Sequence, residues 1–126
     1  MKVPLVIDKI EKNPNIPRLL TLSAHHRDET LKVTMDLPEK LQEVVEFNQG
    51  EEVELELSKD KIENVKGKDL YMHGYVLFKG KENDITKLQI SIHGLMLTIE
   101  TKSSDYSREL NEFSNFEKVY ILFRRK

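Results

Sequence analysis

Two stretches of this chain alternate so strictly that they leave little choice of secondary structure. LKVTMDL sets Leu31, Val33, Met35 and Leu37 against Lys32, Thr34 and Asp36; EEVELELS sets Val53, Leu55 and Leu57 against Glu52, Glu54 and Glu56. Successive strand side chains point to opposite faces, so each stretch is a strand with one face buried. RLLTLSAH, KVPLVID and KVYILFR follow the same rhythm more loosely, and YMHGYVLFKG and SIHGLMLTIE each carry a His-Gly pair inside an apolar run. Counting the second of these on both sides of its glycine gives about eight strands, at a spacing that suits an antiparallel sandwich or small barrel.

Two intervals break the alternation. After Pro38, Leu41, Val44 and Val45 recur at helical spacing, which predicts a short helix in PEKLQEVVEF. SSDYSRELNEF, with Leu110 and Phe113, predicts another single turn, and the polar SKDKIENVKGKD reads as a mobile surface loop. With no repeat, no low-complexity tract and no linker, residues 1–126 form one domain.

Composition excludes several functions. The chain has no cysteine, hence no thiolate ligand or cysteine nucleophile. With 20 Lys+Arg against 22 Asp+Glu, overall charge exerts no pull towards nucleic acid or membrane. No apolar run approaches the ~20 residues that span a bilayer. MKVPLVIDKIEK is charged too early for a signal peptide, and the expectation is a soluble protein of the cytoplasm. A Lys- and Glu-rich third of charged residues, without Cys or Trp, leans towards a heat-adapted source.

The His-Gly pairs raise the question of chemistry. If His93-Gly94 is a two-residue hairpin loop, Ile92 faces Leu95, Ile90 faces Leu97 and Leu88 faces Ile99. On the opposite face Ser91 meets Met96, Gln89 meets Thr98 and Lys87 meets Glu100. One face is then wholly apolar and the other mostly polar, and a one-residue slip destroys both. Such loops need positive φ, which glycine takes freely and histidine tolerates. At the other pair, Leu70, Met72, Val76 and Phe78 keep one parity through Gly74. That predicts an inward glycine at a sharp bend or close backbone approach, with His73 outward between Tyr71 and Tyr75. Turn and bend explain both histidines better than chemistry does.

No other constellation argues for catalysis. His25 and His26 have only Asp28 and Glu29 as local co-ligands, short of a metal set. A tight turn at Arg27-Asp28 would set His26 opposite Glu29. Ser103, Ser104 and Ser107 lie in a polar stretch without a nucleophile-elbow setting, and there is no phosphate-cradling glycine loop. Glu52, Glu54 and Glu56 read as a solvated row. No catalytic, cofactor-binding or metal-ligating residue is expected.

The order DLYMHGYVLF, TKLQISIHGLMLTIE and the closing KVYILFRRK resembles the small common subunit of nuclear RNA polymerases, the eighth in their numbering, and its archaeal counterpart, the G subunit of the archaeal RNA polymerase. LKVTMDL and GEEVELELSK agree less sharply. Histidine stands where the family shows an aromatic ring before each glycine, and the short segment from Ser58 to Leu70 favours the archaeal form. The resemblance implies an all-β, eight-stranded antiparallel OB-like barrel with one or two helical turns. It implies a non-catalytic subunit docked on the largest polymerase subunit, with nucleotidyl transfer carried out elsewhere. Tyr71, His73, Tyr75 and Tyr120 are the candidate protein interface, because amphipathic rings are enriched at such contacts. A free strand edge at KVYILFR would add to it. The rival reading is a free-standing OB-type binder of single-stranded nucleic acid, with the tyrosines stacking bases and Arg124, Arg125 and Lys126 meeting phosphates.

Overall fold

The computed structural model describes Met1–Lys126 throughout. Eight strands run as β1 (Lys2–Lys12), β2 (Leu19–His25), β3 (Leu31–Pro38), β4 (Glu52–Ser58), β5 (Leu70–Glu82), β6 (Ile85–Ile92), β7 (Leu95–Thr101) and β8 (Lys118–Arg125). Helix α1 (Glu39–Val45) lies between β3 and β4, and α2 (Ser104–Leu110) between β7 and β8. Every pairing is antiparallel, and the strands close into a barrel in the order β1-β2-β3-β7-β6-β5-β8-β4. This is the eight-stranded barrel with two short helices that the alternation and the resemblance called for.

Closure comes from two long strands that each change partner. The first half of β1, Lys2–Val6, pairs with β4, and Val6–Lys12 pairs with β2, with an irregularity between Ile7 and Lys9 inside that second pairing. In β5, Leu70–Tyr75 pairs with β8 and Tyr75–Glu82 with β6, with a bulge between Val76 and Phe78. A bulge adds a residue to one strand and increases local bending, so one chain can serve two sides of a closed sheet. β8 consequently lies between β5 and β4, paired on both sides. KVYILFR therefore offers no free edge, contrary to expectation.

The alternating residues fill the interior as predicted. Leu31, Val33, Met35 and Leu37 of β3 and Val53, Leu55 and Leu57 of β4 are at most 1% exposed. Val45 and Phe47 at the end of α1, and Leu110 and Phe113 around α2, join the same core. Val44 turns outward instead, 61% exposed. α2 is capped by Ser103, whose hydroxyl accepts from the Tyr106 amide at 3.3 Å.

The second His-Gly pair behaves as read. All six cross-strand pairs from Ile92–Leu95 to Lys87–Glu100 occur in that register. His93 (φ 52°) and Gly94 (φ 89°) both sit in the left-handed region. The first pair also bends the chain: Gly74 is buried, and a Cβ there would overlap the Ser91 carbonyl oxygen and stand 3.0 Å from Ile92 Cγ1.

Four local expectations fail. Leu77 is the extra residue of the bulge, so Phe78 faces out opposite Gln89 instead of entering the core. The turn after β2 is longer than Arg27-Asp28. Arg27-Asp28 does form a tight turn, closed by the Glu29 amide on the His26 carbonyl at 2.8 Å. The loop as a whole closes with the His26 amide on the Leu31 carbonyl, so His26 faces Leu31 across the strands and Glu29, at φ 62°, is not its cross-strand partner. The glutamate row is paired at two of its three members, Glu52 to Arg27 and Glu56 to Arg124. And the polar segment after β4 is fastened down: the Ile62 amide donates to the Tyr71 hydroxyl at 2.9 Å, and Arg124 donates to the Asn64 carbonyl at 2.9 Å. Those anchors flank Leu122, which has outward parity on β8 yet is fully buried. The segment is a strap across the outside of β5 and β8.

Candidate functional site

Adjacent strands bring Tyr71, His73 and Tyr120 together, with Tyr75 on the same face but opposite Lys118. Before the bulge, odd-numbered residues of β5 point outward, as Tyr71, His73 and Tyr75 do, and the β5–β8 register sets His73 directly opposite Tyr120. Tyr71 stacks on Tyr120 with ring centroids 6.1 Å apart, and His73 meets Tyr120 at 6.2 Å. The Lys118 ammonium stands 5.3 Å over the Tyr120 ring. A fourth ring, His93, joins from the β6–β7 turn, edge-on to His73 at 5.4 Å. Inferring that from sequence would have required knowing that Gly74 lets β5 lie against the end of β6. Leu41, Ile92 and Leu95 complete a shallow hollow of about 270 Å³ beside these rings. Tyr71 is 37% and Tyr75 53% exposed, so the group is solvent-facing on the isolated chain.

The basic residues at the end of β8 are differently placed. Arg125 makes a bidentate bond to Glu51, at 2.6 and 2.7 Å, and donates to the carbonyls of Val45 and Glu46. Its guanidinium lies 4.9 Å over the Phe47 ring. Two planar N–H edges meeting a carboxylate make a strong, oriented pair. The hydrogen bond from Arg125 holds the Glu51 carboxyl below the ordinary glutamate range, and the same bond pushes the Arg125 pKa up. Arg124 pairs with Glu56 at 3.4 Å. Both arginines thus tie β8 to its surroundings, and Lys126 alone of the three is exposed and free of such a partner.

The remaining histidines have local roles. His25 Nδ1 lies 2.5 Å from Asp8, at the β1 irregularity, and His26 Nδ1 lies 2.8 Å from Asp28. The Thr30 hydroxyl and amide donate to Asp28 and hold its carboxyl low. The His26 ring also meets Tyr106 at 5.8 Å, and partial burial pushes the Tyr106 phenol up. No three His, Asp or Glu side chains are grouped to hold a metal ion. No helix is long and apolar enough to cross a membrane. The geometry offers an outward aromatic surface.

No curated protein matches the chain. Among solved structures, the cytoplasmic molybdate-binding protein ModG, crystallised with molybdate bound, aligns over 98% of this chain and 89% of its own at 9% identity. Its TM-score of 0.37 is too low for the likeness to bear on fold detail or ligand. The family model for the G subunit of DNA-directed RNA polymerase matches residues 1–126, the whole of the chain. That is the family the strand order and the two His-Gly runs resembled, and the chain belongs to it as an RNA polymerase subunit.

Proposed function

We propose that this chain is a non-catalytic subunit that docks on the largest subunit of the polymerase in the cytoplasm and supports assembly of the transcribing enzyme. The whole-length family match supplies the complex. The docking half of the reading rests on one observation: Tyr71, His73 and Tyr120 meet on the outer face of β5 and β8, and Tyr75 lies further along the same face opposite Lys118. Tyrosines combine large apolar area with a polar tip and lose little entropy when covered, which suits them to interface centres. Docking uses this side-chain surface and no added strand, since β8 is paired on both sides.

Reconstitution from purified subunits tests the reading. The wild type should enter the assembled enzyme with the largest subunit present and not without it. Tyr71→Ala with Tyr75→Ala should lower incorporation while the folded barrel persists by circular dichroism. Wild-type protein that never associates with polymerase would end the proposal. The nucleic-acid reading loses support because the charges it relies on at Arg124 and Arg125 already serve Glu56 and Glu51.

A further inference from the structure

Starting from Tyr75, the bulge in β5 continues the apolar surface past the tyrosine cluster. Tyr75, Leu77 and Phe116 are 53%, 50% and 76% exposed. Scattered exposed hydrophobics are ordinary, but several gathered at one place mark a contact surface. The backbone here works to keep them outside. The extra residue at Leu77 turns both Leu77 and Phe78 to the outer face, where unbroken alternation would have carried Phe78 inward. Phe78 has a local task there, its ring covering Gly80. Leu77 and Phe116 have none.

Phe116 is the sharper case. It sits at φ 67°, a conformation that costs a bulky side chain and that asparagine, present next door at 115, accepts more readily. Its position is over-determined: its amide donates to the Val76 carbonyl at 2.7 Å, and the Val76 amide donates to the Glu117 carbonyl at 2.9 Å. The Glu117 carboxylate accepts from the Ser114 amide at 2.9 Å, closing the turn. A strained aromatic held three-quarters exposed stabilises nothing within the barrel, and such outliers point to function.

The surroundings indicate what covers it. Across β5, Tyr75 faces Lys118 and Ser91, and Phe78 faces Gln89. Lys118 has no carboxylate within ion-pair range, and Glu117 is already matched to Lys59 at 3.6 Å. The rim is therefore neutral to basic. A second copy packed about a two-fold axis would bring this rim against itself, with no carboxylate to meet Lys118. We infer that the Tyr75–Leu77–Phe116 surface docks against an apolar, carboxylate-rimmed face of another polymerase subunit, extending the contact along β5 from the tyrosine cluster. This rests on the subunit reading above.

The test uses reconstituted polymerase with full-length chains and measures binding of wild type, Leu77→Ser with Phe116→Ser, Phe116→Gly, and Lys118→Glu. The double variant should bind at least tenfold more weakly, since central apolar anchors dominate such contacts. Phe116→Gly should also bind more weakly, yet melt no lower than wild type, because glycine accepts the turn's φ. That combination separates docking from folding. Lys118→Glu should weaken binding several-fold, an effect that shrinks as salt rises. If the wild type assembles and the double variant assembles equally well, this inference fails and the subunit reading stands. If the wild type itself does not assemble, both fail. Self-association of the free chain that depends on Leu77 would place a second copy on the surface and overturn the assignment of partner.

Discussion

His73 and His93, twenty positions apart in the chain, meet edge-on with ring centroids 5.4 Å apart. The contact joins the outer face of β5 to the turn between β6 and β7, and neither imidazole has a carboxylate within ion-pair range. A catalytic histidine is normally oriented by such a partner. Here each ring is one member of an aromatic group, and each neighbouring glycine explains its place in the backbone.

The turn residue and its glycine separate cleanly by mutation. His93→Asn should leave the melting temperature nearly unchanged, since asparagine accepts φ near 52°. Gly94→Val should destabilise by about 1–2 kcal/mol through backbone strain alone, because nothing lies within 4 Å of a Cβ there. Chemical denaturation of both variants is the check. Loss of polymerase assembly in a fully folded His93→Asn protein would return a specific role to that imidazole.

Gly74 obeys a different constraint. Its problem is space rather than φ, since a Cβ would overlap the Ser91 carbonyl. Gly74→Ala should cost about 1–3 kcal/mol, the usual penalty for overpacking an interior. An alanine variant as stable as wild type would mean that β5 and β6 can separate at the corner.

The strap predicts that Leu122 behaves as a core residue despite its outward parity. Leu122→Ala should cost about 2–4 kcal/mol, as for a buried leucine, and should expose the segment between Ser58 and Leu70 to limited proteolysis. Tyr71→Phe removes only the acceptor for the Ile62 amide and should cost about 1 kcal/mol. A Leu122→Ala variant with surface-like stability would show that the strap does not hold in solution.

Arg125 and Glu51 predict an acid response. The folded-state pKa of Glu51 is depressed, first by the hydrogen bond from Arg125. A depressed carboxyl contributes stability that is fully present above its unfolded pKa and drains away as pH falls through its folded pKa. Wild type should therefore exceed Glu51→Gln most above about pH 4.3, with the gap narrowing under further acidification. Arg125→Met should cost about 2–3 kcal/mol at neutral pH by removing charge-assisted bonds. Urea titrations across pH 3 to 7 measure both effects.

Single-stranded oligonucleotides should bind weakly, without sequence preference, and release steeply as salt rises, because few unpaired cations are grouped on the outer face. Arg124→Ala should lower stability more than it lowers any such binding, since Arg124 serves Glu56 and the Asn64 carbonyl. Submicromolar binding that persists at physiological salt would favour the rival reading.

Local pairing was legible in the sequence because it is local. From Lys87 to Glu100, one turn signal and two alternating runs determine every partner. Leu31–Leu37 and Val53–Leu57 announced their buried faces equally well. Val76-Leu77-Phe78 was not legible, because three consecutive apolar residues fit either parity and only the bulge decides between them. The strap was missed for another reason: its hold depends on a tyrosine hydroxyl and a distant arginine, neither of which leaves a periodic trace. The aromatic group was half visible. Outward parity marked Tyr71, His73 and Tyr75, while the convergence of Tyr71 and His73 with Tyr120 and His93 came from strand order, which alternation does not encode.

The place of β8 between β5 and β4 has a consequence for the birth of the molecule. During synthesis, β1 through β7 emerge with two of their borders unmatched, and the strand that joins them is made after the other seven. Hairpins such as β2–β3 and β6–β7 can form early, but the ring itself awaits residues Lys118 to Arg125. Long-range closures of this kind are slow compared with local pairing. Until then β4 and β5 present raw strand borders to every neighbour in a crowded cell, so the nascent chain is most vulnerable to misassociation in the moments before β8 arrives.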